Sequence, residues 1–176
     1  MGVLMFTARI HSLINQKSDI EYRLAKLTKK LQDLQAYAAT VGNGGISIGD
    51  MLSAPGSMLG RTMAYMAFAH NSSYQYMMQN APYMTSIWTQ QMQGMAQNPQ
   101  QQQQMQRWIM ESLYQQGRDR AMQVEQRNLK VEEQKIANEK EKLEALGKSV
   151  QAELESARQA RDAGIKEMAP KYVFQS

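Results

Sequence analysis

The chain has 176 residues, a net charge of +4 and no cysteine. The length suits one ordinary domain or a helical hairpin. The charge is too mild for strong phosphate binding, and the missing thiol excludes disulfides, thiolate metal sites and cysteine nucleophiles.

The opening Met-Gly-Val-Leu-Met-Phe-Thr-Ala-Arg carries no leading basic cluster, and Arg9 arrives before a long apolar stretch can form. No cleaved secretory signal is therefore expected. A myristoylation reading of Gly2 fails at Phe6, where Ser or Thr belongs. No stretch reaches the roughly 18 apolar residues needed to span a bilayer.

The first predicted element is a helix from about Leu4 to Val41. Leu13, Ile20, Leu27, Leu34 and Val41 are spaced by seven, and Ile10, Leu24, Leu31 and Ala38 fill the companion row, broken only by Lys17. This is the three-four alternation of a coiled-coil seam. Lys26, Lys29, Lys30 and Asp33 fall off the seam, as a solvated face requires. Gly42-Asn43-Gly44-Gly45 closes the helix, because glycine tolerates positive φ and disfavours helix continuation. It is no phosphate loop, since the following Lys-Ser/Thr and the preceding strand are missing.

The middle, Ile46 to Gln104, differs in kind. It holds nine of the 15 methionines and four of the eight tyrosines, but only one acid and one base. Ser47 or Asp50 is expected to cap a short helix through Met51 and Leu52, which Pro55-Gly56 breaks. A second helix is expected from Ser57 to about Asn80. Its Met58, Met63, Met66, Phe68 and Met77 are apolar on more than one face, which predicts burial on several sides. Asn80-Ala81-Pro82 reads as a break, followed by a third helix from Tyr83 to Ala96. Methionine is flexible and favoured where a surface must repack against partners. Met58, Met63, Met66, Met77 and Met78 are therefore the candidates to face a partner; a loosely specified core is the plainer explanation.

Pro99 suits the first turn of a final helix running through the Gln100–Gln104 tract to about Met168, with Pro170 ending it. Met122, Leu129, Ile136, Leu143, Val150 and Ala157 again recur every seven residues. Gly117, Gly147 and Gly164 each weaken the helix by about 1 kcal/mol relative to Ala, and Gly117 is the expected kink. Interleaved charges such as Glu139, Lys140, Glu141, Lys142 and Glu144 read as a solvated coiled-coil flank. This helix should span roughly 100 Å against roughly 57 Å for the first. Part of its seam is then expected to lack a partner within the chain. Leu129, Ile136, Leu143 and Val150 would form an apolar stripe of a kind monomers rarely show.

The expected fold is all-α: an elongated helical hairpin or coiled coil with a Met-rich helical middle. Its parts are 1–45, 46–104 and 105–176. Candidate chemistry is sparse. His11 and His70 are the only histidines, and neither has a second ligand at metal spacing. Arg118, Arg120 and Arg127 cluster, but Asp119 and Glu125 interleave them, so nucleic acid is not an expected partner. Asn71-Ser72-Ser73 fits a glycosylation acceptor only in a secreted eukaryotic protein. No acid–base, nucleophile or phosphate constellation can be assembled, and neither enzyme activity nor a cofactor is expected.

The paired terminal heptad helices, Ile10–Val41 and Met122–Met168, enclosing a distinct middle, resemble flagellin and the filament subunits of type III secretion systems in architecture. The resemblance implies terminal helices packed into a filament core and an outward-facing middle. The tail Lys171-Tyr172-Val173-Phe174-Gln175-Ser176 is not a flagellin ending. The expected function is a structural homo-oligomer whose self-association seam is Leu13, Ile20, Leu24, Leu27, Leu31 and Leu34 with Leu129, Ile136, Leu143 and Val150. It would lie outside the cell or on its surface, exported by a route that reads no cleaved signal. The alternative is a cytoplasmic or virion interaction module, such as a secretion-linked chaperone, an adaptor or a phage internal protein. Its middle would hold a partner or a membrane surface.

Overall fold

The computed structural model describes residues 2–42, 49, 54–91 and 99–168. It is all-α. Three long helices, α1 (Gly2–Gly42), α2 (Leu59–Gln91) and α3 (Pro99–Met168), account for nearly all described residues, with a single 3-10 turn at Gly56–Met58. The bounds of α1 and α3 agree with the heptad reading to within two residues. The expected turn at Gly42–Gly45 (beyond Gly42), the short helix at Met51–Leu52 and the tail lie outside the described residues.

The middle departs from expectation. α2 is one continuous helix through Pro82, with no break at Asn80. An interior proline forfeits one backbone hydrogen bond, clashes with the preceding turn and costs about 3 kcal/mol. Packing on both sides of Pro82 offsets that cost. Tyr76, Met77 and Ala81 before it, and Trp88 after it, all pack with Met105, Ile109 and Leu113 of α3. The Asn80 side-chain amide also donates to the Tyr76 carbonyl at 2.7 Å, just ahead of the turn that the proline disturbs.

The chain divides into two compact units that do not follow the sequence thirds. One takes α1 up to Leu31 and α3 from Gln134 onward; the other is Gln32–Glu133. In the first unit α1 and α3 run antiparallel. Arg9 bonds Glu153 at 2.6 Å, and farther along α1 Ile20 lies beside Gly147. The core is Ile10, Leu13 and Ile20 against Val150, Leu154 and Ala157, with Leu24 and Leu143 packed on it. Each buried aliphatic side chain contributes about 1.5–3 kcal/mol.

In the second unit α2 runs antiparallel to α3. Arg61 reaches Glu125 and Glu132, Ser73 abuts Gly117, and Ala81 packs with Ile109. The start of α2 lies parallel to the end of α1: the Ser57 hydroxyl donates to Asp33 at 2.6 Å, and the Arg61 guanidinium stacks 5.2 Å from the centre of the Tyr37 ring.

Gly117 lies inside unbroken α3; its role is close approach. A Cβ there would fall 2.6 Å from Ser73 Cα. Small residues at such a contact let two helix axes draw together.

Candidate functional site

The two heptad rows are filled within one chain. Leu13, Ile20 and Leu34 are buried, and Leu24, Leu27 and Leu31 are half-buried. Lys17, the break in the companion row, is half-buried, with its ammonium 3.8 Å from Glu21. On α3 the expected bare stripe is absent. Leu129, Ile136 and Val150 are at most 6% exposed, and Leu143 packs on the α1–α3 core. α2 makes up the difference in length between α1 and α3. In the second unit α2 and the end of α1 lie on the first part of α3, so that part needs no second molecule for cover.

The five candidate methionines separate. Met77 packs against Ile109 and Leu113, Met58 and Met66 are half-buried, and Met63 and Met78 are about half exposed. The expected burial of α2 on several sides does not occur. Its buried residues are Thr62, Tyr65, Ala69, Ser73 and Ala81, mostly small, while Phe68 and Tyr74 stand outside with Met63 and Met78. Close approach to α3 selects small side chains inside and displaces the bulky ones outward. Small residues four apart in both helices, Ala69-x3-Ser73 and Gly117-x3-Ala121, were the available signal.

A partly buried charged cluster is built on Arg61, the sole charged residue of α2. Its Nε donates to Glu125 Oε1 at 2.9 Å and its Nη1 donates to Glu132. The Tyr37 hydroxyl donates to the same Glu125 oxygen at 3.0 Å. One residue from α1, one from α2 and two from α3 thus share a single network. Burial lowers the arginine pKa, but the carboxylates of Glu132 and Glu125 outweigh it and hold the guanidinium above its ordinary range. Burial first, and then the hydrogen bond to Glu125, raise the Tyr37 hydroxyl well above the usual tyrosine value. Tyr65 is raised too, chiefly by burial and then by the Glu125 charge. Each of these shifts keeps a group in its ordinary neutral-pH form. The cluster is suited to holding three helices in register and offers no activated base or nucleophile. Sequence reading missed it because its members lie far apart in the chain.

The remaining polar candidates do not converge. His11 is exposed, and His70 Nδ1 lies 2.9 Å from the Tyr114 hydroxyl. Arg120 of the arginine cluster stacks 4.3 Å over the Tyr76 ring. Among the described residues no three His, Asp or Glu side chains gather at metal-binding distance, and no helix is long and apolar enough to cross a membrane. No family model, curated protein or solved structure matches the chain.

Proposed function

We propose that this chain is a non-enzymatic structural protein whose copies associate through helix faces into a filament or another multi-subunit assembly. The observation that carries the reading is where the large apolar side chains lie once the seams are filled. Met63, Phe68, Tyr74, Met78 and Trp108 remain about half exposed or more, while the Arg61 cluster is satisfied by its own partners. Where such side chains gather into one patch, they mark contact with another molecule. The resemblance to filament subunits implies terminal helices free to build a core. In this chain the two pair with each other, so assembly would use faces outside the heptad rows.

The test is sedimentation velocity of the purified chain across a wide concentration range, with electron microscopy of the same samples. The expected result is a concentration-dependent shift to larger species. A monomer at every concentration would refute the proposal.

A further inference from the structure

Val3 and Gly164 meet near one end of the α1–α3 pair: a Cβ at Gly164 would fall 3.2 Å from Val3 Cγ2. The large apolar side chains around that contact are exposed. Leu4 and Met5 are 80% and 74% exposed, Met168 65% and Ile165 49%. Each lies within about one helical turn, roughly 6 Å along the axis, of Val3 or Gly164, so the four gather into one patch. With about 150–200 Å² for each such side chain when fully exposed, they offer roughly 450 Å², the size at which an apolar patch is often functional. The flank is basic. Arg9 is bound by Glu153 and Arg161 by Asp162. That leaves the exposed Arg158 and Lys166 against a single acid, Glu167, on the last three turns of α3.

We infer that this patch docks on the surface of an anionic lipid bilayer. Leu4, Met5, Ile165 and Met168 enter the headgroup layer, and Arg158 and Lys166 meet the lipid phosphates. The inference stands apart from self-association and assigns a different surface. Three arguments select a membrane over a second copy. The first is area. A stable protein interface takes about 800 Å² from each partner, nearly twice what the patch offers. A membrane contact needs only apolar side chains that reach about 5–10 Å into the headgroup and acyl boundary. The second is charge. Two copies meeting through this patch would bring Arg158 and Lys166 of each together, a like-charge contact that disfavours the pair. An anionic leaflet attracts every Lys or Arg held near it. The third is sequence. Lys171-Tyr172-Val173-Phe174 follows directly on the described residues. It adds a cation and a tyrosine, residue types favoured where membrane meets water.

The test is flotation of the full-length chain with lipid vesicles. Vesicles of equal parts phosphatidylcholine and phosphatidylglycerol should carry the chain upward, and vesicles of phosphatidylcholine alone should bind it several-fold more weakly. Leu4→Glu with Met5→Glu should keep the circular dichroism of the wild type, because both side chains are exposed and acids suit the first turn of a helix. The same variant should bind the mixed vesicles about tenfold less or weaker still. Arg158→Glu with Lys166→Glu should lose affinity for the mixed vesicles and keep the weaker binding to phosphatidylcholine. Met63→Glu with Met78→Glu on α2 should float like the wild type; loss of binding there would move the membrane contact to α2 and overturn the inference. A wild type that does not float, or a Leu4 and Met5 variant that floats equally well, would also overturn it. So would lipid-free sedimentation in which the wild type associates and the Leu4 and Met5 variant does not, without flotation of either, because a second copy would then be the occupant.

Discussion

Gly117→Ala puts the closeness of α2 and α3 to a direct test. In an isolated helix the change would stabilise by about 1 kcal/mol. In the structure the new Cβ falls 2.6 Å from Ser73 Cα, 3.1 Å from Ser73 Cβ and 3.2 Å from the Ser73 carbonyl oxygen. Carbon atoms prefer about 3.5–4.0 Å, so the helices must separate locally by about 1 Å. The obstacle is backbone and cannot swing aside. An overpacking cost of about 1–3 kcal/mol, set at its upper end against the propensity gain, leaves a net loss of about 1–2 kcal/mol. At about 2–4 °C per kcal/mol, the midpoint should fall by roughly 3–6 °C in thermal unfolding followed by circular dichroism. Ser73→Ala should not rescue it, because the closest atom is Cα. Gly147→Ala is the control: its Cβ would meet Ile20 Cγ2 at 3.5 Å, an ordinary contact, so the midpoint should rise. A Gly117→Ala variant at least as stable as wild type would refute the close approach.

Pro82→Ala restores a backbone donor inside α2 and should stabilise the second unit by up to about 3 kcal/mol; hydrogen exchange should slow around Met78. Arg61→Lys keeps the charge but cannot span Glu125 and Glu132 with a planar fork. It should cost about 1–2 kcal/mol in urea unfolding, a figure kept low because both Arg61 and Glu132 are partly exposed. The raised pKa of Tyr37 gives an alkaline dependence. Its stabilisation is complete below the unfolded value of about 10 and is lost as pH rises through the higher folded value. Tyr37→Phe, at a cost of about 1 kcal/mol at neutral pH, should flatten the loss of stability above pH 10.

The helices were legible because their signals are local. Heptad spacing located α1, and a proline followed by glutamines located the start of α3. What sequence reading missed depends on two segments at once. The Asn80-Ala81-Pro82 stretch is a helix breaker by propensity, and only packing against Ile109 and Leu113 overrides it. The Met-rich helix reads as buried on several sides because apolar residues surround it. Its actual inner face is set by Ser73 meeting Gly117, a match visible only when two helices are compared. The Arg61 network is hidden for the same reason: Tyr37, Arg61 and Glu125 have no spacing that links them until α1, α2 and α3 are brought side by side.

The most direct measurement on a seam closed within one chain is Ile136→Glu, studied by circular dichroism melting and sedimentation together. Ile136 is 4% exposed within a single copy, so the substitution puts a charge into the chain's own core. At concentrations where wild type and variant are both monomeric, the variant should be less stable by roughly several kcal/mol and melt lower. Unchanged helicity and melting, with association alone reduced, would place the stripe between subunits and contradict the closed seam.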